Sequence, residues 1–279
     1  MTMIHHTGTE TTAPVLAIHA SASGPSQWRR LADDMAIRHH VITPDMSTWR
    51  AALSANDVPY AGLRPAVEAA LDQAGTANRR MHIVGHSFGG AVALKLALTR
   101  PDLVASLTLY EPTAPFLLDR SGETDGPLVA ELRALGRTLT QSADAGHPEL
   151  GMRRFVAFWT GSDDWDAMPE SRRLRMVGAV PSVISDFAGA FSERTRLADL
   201  KAITVPTLVM TGMDSPQIAQ RTAALVARAI TGAELALLPA LGHMAPVTQP
   251  DWVNPRIRQH IARVERRAER VRWPHRAAA

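Results

Sequence analysis

Met81-His82-Ile83-Val84-Gly85-His86-Ser87-Phe88-Gly89-Gly90-Ala91-Val92-Ala93-Leu94 is the stretch on which the fold turns. Its first four residues form an apolar run of strand length, and Ala91 to Thr99, rich in alanine and leucine, reads as a helix. Between them stands the pattern Gly85-x-Ser87-x-Gly89. Alone, such a pattern arises by chance in about one chain in ten of this length. The context gives it weight. A buried strand runs directly in and a helix runs directly out, so the serine sits on a sharp turn and its hydroxyl projects at the carboxyl edge of a sheet. The helix N-terminus behind it favours negative charge. The plain alternative is a glycine-rich strand-to-helix turn whose serine merely caps the helix.

Outward from this stretch, strand-length apolar runs alternate with amphipathic helices, the pattern of a mostly parallel, doubly wound α/β sheet. Val15 to His19, Val41 to Thr43, Leu107 to Tyr110, Thr207 to Met210 and Leu235 to Leu238 read as the other strands. Helices are expected over 27–36, 64–74, 91–99, 217–229 and 252–266, with a weakly helical or irregular stretch over 48–60. Between Pro112 and Val205, around ninety residues contain no clear strand. They show helical periodicity over 128–140, 152–160 and 172–180. A segment this long inside an α/β pattern is expected to be a helical insertion over the sheet edge. The organisation expected is therefore a core of residues 1–112 and 205–279, with a helical lid at 113–204.

The chain has 279 residues, a net charge of +3, 46% hydrophobic residues and no cysteine. The apolar share excludes a disordered chain, and no run reaches the roughly 18 apolar residues of a membrane span. Without cysteine there is no disulfide scaffold and no thiolate ligand or nucleophile. The first residues have no basic region followed by an apolar core, so a cytoplasmic enzyme is the expectation. The basic character is local: from Arg263 onward stand six arginines and two glutamates, giving +4 against −1 for the remainder. Mixed signs at helical spacing read as a solvated helix end, so neither nucleic acid nor membrane is an expected partner. A homodimer is compatible with the sequence.

A serine hydroxyl is a poor nucleophile until a base takes its proton. Of the 11 histidines, His5, His6, His39, His40 and His275 lie near termini or turns, and no metal-ligand spacing occurs. His243 differs. In Leu241-Gly242-His243-Met244 it follows the last strand and precedes the last helix, in a loop that also opens on the carboxyl edge of a doubly wound sheet.

The order of elements and these two motifs resemble the α/β-hydrolase superfamily across nearly the whole chain. His19 stands where that family's His-Gly loop begins, Pro44-Asp45 resembles its strand-ending pair, and Leu238-Pro239 to Pro246 resembles its histidine loop. The resemblance implies Ser87 as nucleophile and His243 as general base and then acid. It also implies an oxyanion hole from the backbone N–H of Phe88 and that of Ser21, with Ala20 departing from the family's usual glycine. For the acid, the resemblance offers two positions. Asp214 follows the penultimate strand, where the family most often places it, but the usual slot three residues after Gly212 is Ser215, and neighbouring side chains on an extended segment diverge. Glu111 ends the strand after the nucleophile helix, where lid-bearing relatives such as haloalkane dehalogenases and zearalenone-type lactone hydrolases carry theirs. Glu111 is the preferred reading and Asp214 the alternative.

A serine nucleophile disfavours the dehalogenase and epoxide-hydrolase chemistries, in which relatives use aspartate, and favours acyl transfer without cofactor or metal. Phe116, Phe155, Phe158, Trp159, Trp165, Met168, Met176 and Phe187 in the insertion read mainly as core residues, some of them facing a cleft. A hydrophobic ester or lactone is the expected substrate, with Ala20, His86 and Trp159 as substrate-lining positions. The alternatives are a C–C bond hydrolase on the same triad and a binding protein that keeps the fold without catalysis.

Overall fold

The computed structural model describes residues 12–47, 49, 62–75, 79–118 and 125–272. The strands form where β-branched and leucine residues run unbroken: β1 Val15–Ile18, β2 Val41–Ile42, β3 Met81–His86, β4 Val104–Tyr110, β5 Thr207–Gly212 and β6 Glu234–Leu238. They make one six-stranded parallel sheet in the order β2-β1-β3-β4-β5-β6. The first five are almost wholly buried, as a parallel sheet covered on both faces requires, and this explains their continuous apolar runs. Only β6, at the edge, exposes side chains, among them Leu235 and Leu237.

Helices cover both faces. On one face α2 Arg64–Ala74, α3 Phe88–Thr99 and α9 Gln217–Ala229 close a core around Leu16, Ile83, Leu107 and Val209. On the other, α1 Arg29–Met35 and α11 Pro250–Arg272 bury Trp28, Leu31, Val253, Ile257 and Ile261 against Val15, Val84 and Met210. Burying each such aliphatic side chain contributes roughly 1.5–3 kcal/mol before chain entropy is counted. In α11, Val253, Ile257 and Ile261 recur four apart, which is the stripe that seats a helix on a sheet. Among the described residues no single helix is long and apolar enough to cross a membrane.

Between β4 and β5 the chain contains no strand among the described residues. It forms α4 Pro115–Leu118, α5 Gly126–Asp144, α6 Pro148–Thr160, α7 Glu170–Gly178 and α8 Val180–Ser192. These helices share a third core, including Leu132, Leu139, Met152, Phe155 and Val183, which continues onto Ile218, Ala219 and Leu225 of α9. Periodicity predicts one helix over 172–180, but the structure ends α7 at Gly178 and starts α8 at Val180. The break falls at Ala179, and Pro181, which a helix tolerates only in its first turn, stands at the start of α8. Helix α11 also runs beyond the expected 252–266. The expected irregular stretch over 48–60 lies outside the described residues except for Trp49, as do His5, His6 and His275. A short helix, α10 Ala245–Thr248, follows the last sheet loop.

The sheet register sets the stage for chemistry. Ile18 pairs with Gly85, His86 with Tyr110, and Tyr110 with Met210, so the ends of β1, β3, β4 and β5 lie level along one edge. From β1 the chain winds outward to β2, and from β3 it winds the other way to β4, β5 and β6. The loop after β1 and the turn after β3 therefore diverge, and the crevice they leave is where parallel sheets bind ligands.

Candidate active site

Backbone strain marks this edge. Among the described residues the non-glycine positions with positive φ are Ala22, Ser87, Glu111 and Ala240, one after each of β1, β3, β4 and β6. Such conformations cost on the order of 1–3 kcal/mol each and persist only where the surroundings impose them. Ser87 has φ 54° and ψ −119°, and its side chain makes no capping bond to α3, so it does not serve as a helix cap. Close packing enforces the turn. A Cβ on Gly85 would come within 2.5 Å of the Gly89 carbonyl, and one on Gly89 would collide with the carbonyls of Ile18 and His19. Only glycine lets β1, β3 and α3 approach in this way.

The turned-out hydroxyl meets a histidine. Ser87 Oγ lies 3.0 Å from His243 Nε2, and His243 Nδ1 lies 2.6 Å from Glu111 Oε2. Glu111 is fully buried, and its other oxygen, Oε1, accepts from the Gly212 N–H at 2.7 Å, Thr211 Oγ1 at 2.9 Å and Ser215 Oγ at 2.5 Å. These donors offset the desolvation of a buried carboxylate and leave Oε2 for the imidazole. The bond from Glu111 to Nδ1 fixes the tautomer in which Nε2 faces the serine as an acceptor. Asp214 is exposed, and only its backbone N–H reaches the histidine loop, at Leu241 O. Ser215, which occupies the family's usual acid slot, supplies a hydroxyl to the glutamate arriving from the neighbouring strand.

The histidine loop is held from below. Tyr110 Oη donates to Gly242 O at 2.8 Å, and His86 Nε2 donates to His243 O at 2.9 Å. Burial and the adjacent Glu111 push the Tyr110 phenol well above its ordinary value, so it remains a donor. His86 Nδ1 accepts from Gln27 Nε2 at 3.1 Å, and Gln27 Oε1 accepts from the Ala20 N–H at 3.1 Å. Complete burial holds the His86 imidazole far below its usual range, which keeps it neutral and suited to one donating and one accepting nitrogen.

This relay ties the loop after β1 to the histidine loop and also uses up the Ala20 N–H. The neighbouring Ser21 N–H has no acceptor among the described residues. His19 anchors the same loop: its Nδ1 donates to Ala20 O at 2.8 Å, and its Nε2 accepts from the Met46 N–H at 2.9 Å. The Phe88 N–H opens α3, where backbone donors have no intrahelical acceptor.

Above Ser87 lies a cleft whose walls are mainly apolar: Leu132, Phe155, Trp159, Phe187, Ala190 and Phe191 from the inserted helices, with Ser21, Phe88, Thr113 and Asp186 among the remaining lining residues. Its free space is about 10 Å³, roughly the room of one water molecule. Of the expected lining positions, Trp159 borders the cleft and lies over His243 with ring centroids 4.1 Å apart and planes at 25°. Ala20 and His86 do not border it, because their polar groups turn away into the relay beneath the loops. Thr113 escapes the sequence reading. Its Oγ1 lies 3.0 Å from Ser87 Oγ, and its N–H donates to Ser87 O at 3.0 Å. A lone threonine just past Glu111-Pro112 carries no spacing that would mark it. Among the described residues no three His, Asp or Glu side chains converge as a metal-ligand set.

Comparison with known proteins agrees with this architecture. The model of the Alpha/beta hydrolase family matches residues 15–256. The chain is similar to the "Putative carbamate hydrolase RutD" of Azorhizobium caulinodans, 28% identical over 90% of each chain. It is also similar to the lipase LipV of Mycobacterium tuberculosis, 30% identical over 89% of this chain and 93% of the relative. Among solved structures, a thermophilic esterase from Thermogutta terrifontis superposes with a TM-score of 0.69 at 21% identity, covering 95% of this chain and 99% of the other.

Proposed function

The chain belongs to the alpha/beta hydrolase family, and on that premise we propose that it cleaves a hydrophobic carboxylic ester or lactone through an acyl-enzyme on Ser87. The observation that supports this most is the hydrogen-bonded line Ser87–His243–Glu111 at the base of an apolar cleft. In this reading His243 Nε2 takes the serine proton as Ser87 Oγ attacks the carbonyl carbon. The negative charge of Glu111 stabilises the imidazolium that forms. The oxyanion of the tetrahedral intermediate lies between the N–H groups of Phe88 and Ser21, at the helix N-terminus and the divergent loop. The imidazolium then protonates the leaving alkoxide, and a water activated by the same nitrogen releases the acid. Electron density from the face of Trp159 favours the cationic ring during the reaction.

The cleft's apolar lining favours an acyl chain or ring over a strongly anionic substrate. Its small free volume supports reading the inserted helices as a lid that parts from the sheet to admit it. The resemblance to a lipase agrees with ester chemistry, while the relative named a putative carbamate hydrolase points to a carbamate as the other candidate substrate class.

The test is a fluorophosphonate probe followed by a substrate panel. Wild-type protein is expected to be labelled on Ser87, with labelling absent in Ser87→Ala. Short p-nitrophenyl esters or macrolactones are expected to turn over in preference to ring-cleavage diketones. A folded wild-type protein that resists the probe and hydrolyses none of these would refute the reading.

A further inference from the structure

We propose that Asp186, in inserted helix α8, is a positioning residue for the oxyanion hole, bracing from the lid both residues whose N–H groups face the developing charge. This rests on the serine-hydrolase reading above and adds to it a residue outside the triad. Asp186 is buried, borders the cleft beside Ser87, and comes from a helix far along the chain from both partners. Its Oδ2 accepts from Ser21 Oγ at 2.6 Å, and its Oδ1 accepts from Trp49 Nε1 at 2.9 Å. Trp49 in turn stacks on Phe88, with centroids 6.1 Å apart and planes at 24°. One oxygen thus anchors Ser21, while the other fixes the indole that packs against Phe88. The β1–β3 ladder ends at Ile18 and Gly85, so no ladder bond sets the separation between Ser21, on the loop after β1, and Phe88, at the start of α3. A carboxylate suits the task because indole N–H is a donor only and the serine hydroxyl also donates, so both side-chain oxygens must accept.

The consequence is a coupling between lid and chemistry. When α8 is seated, Ser21 is held with its N–H in place. When α8 lifts, Ser21 loses its side-chain anchor while His19 and Gln27 still hold the start of the loop, and the triad, built from β3, β4 and the histidine loop, remains intact. An oxyanion hole stabilises the transition state far more than the ground state, so loosening it lowers kcat with little change in KM.

The experiment uses the full-length protein and an activated ester, with active sites counted by fluorophosphonate titration. Asp186→Ala and Ser21→Ala are each expected to lower kcat per titrated site about tenfold, with KM changing less than about threefold. The double variant is expected to lose no more than Asp186→Ala alone, since that change already removes the contact that Ser21→Ala removes. Asp186→Asn, whose Oδ1 can keep Trp49 and whose amide can donate to Ser21 Oγ, is expected to recover to within about threefold of wild type. Inhibition by a trifluoromethyl ketone, which forms a tetrahedral oxyanion on the serine, is expected to weaken in step with kcat. Ser21→Ala removes one half-buried hydroxyl and serves as the second probe if Asp186→Ala does not fold.

Unchanged kcat per titrated site, with only thermal stability lowered, would assign Asp186 a purely structural role and overturn the proposal. Fully additive losses in the double variant would do the same. A wild-type protein that is neither labelled nor active fails before any substitution is made, which marks failure of the hydrolase reading itself and takes this proposal with it.

Discussion

At the carboxyl edge of the sheet His19, His86 and His243 are buried around Ser87, while at the amino edge His39 and His82 are buried near the largely buried Glu265, with His260 also buried beside them. The residue type and the burial match. At the amino edge His39 Nδ1 donates to Ala13 O at 3.0 Å, His82 Nδ1 bonds Ser106 Oγ at 2.7 Å, and the Nε2 atoms of His39 and His82 face Glu265 at 3.6 and 3.9 Å. These rings fill space between sheet and helix α11. At the carboxyl edge two histidines are likewise consumed by structural bonds, and only His243 has one nitrogen on a fully bonded carboxylate and the other on a hydroxyl below a cleft. A buried histidine serves chemistry when its geometry leaves one nitrogen aimed at a reacting atom. Burial alone makes it part of the scaffold.

The sharpest way to break this contrast is Glu111→Gln. The glutamine oxygen can keep the donors from Gly212, Thr211 and Ser215, so its amide would donate to His243 Nδ1 and force the proton onto Nε2, the wrong tautomer for a base. Turnover is expected to fall by about 10³–10⁴ with the protein still folded. Asp214→Asn, on the exposed alternative, is expected to stay within about twofold of wild type. Steady-state kinetics of the pair decides between the two carboxylates, and the reverse pattern would move the acid to Asp214.

A smaller effect is expected at Ser215. Removing its hydroxyl deprives Oε1 of a 2.5 Å donor but leaves two others. Ser215→Ala should therefore cost on the order of tenfold in kcat. An unaltered kcat would mean the serine only fills space.

At the other edge the expected effect is on stability alone. Burial, with the neighbouring His39, His260 and Arg80, holds His82 down to about 3 from its ordinary 6.5. The unfolded chain therefore binds a proton there, as pH falls from 6.5 to 3, that the folded chain refuses. Stability from this site is complete above pH 6.5 and declines through that window, by up to about 1.4 kcal/mol per pH unit for a single proton. Thermal midpoints of wild type are expected to fall more steeply between pH 6 and 4 (about two pH units within that window) than those of His82→Leu, with neutral-pH turnover within twofold of each other. A loss of activity in His82→Leu at unchanged stability would dissolve the distinction between the two ends.

Much of the architecture is legible along the chain because a parallel sheet covered on both faces leaves strands as unbroken apolar runs. The turn around Ser87 is legible because glycines at 85 and 89 flank the serine between a strand-length apolar run and a helix. His243 stands out because it follows a strand in a loop that must open on the same edge. The choice between Glu111 and Asp214 is legible only as a preference for Glu111, since sequence gives a position at a strand end but not the sideways direction of a side chain. Asp186 in α8 is legible only as a charged residue among Val183, Ile184, Phe187 and Ala190, not in the donors it meets.

The sequence by itself determined the alternation of strands and helices, the strained serine turn and the late histidine, because each follows from local sterics and from periodic burial. Tertiary structure alone decided which carboxylate meets the imidazole. The register of β4 on β5 sets Glu111 among the donors of Gly212 and Ser215, while Asp214 faces solvent. It also decided that Ser21, Trp49 and Asp186 meet at all, since contacts between residues more than a hundred positions apart depend on how helices pack over a sheet, and no local pattern encodes that packing.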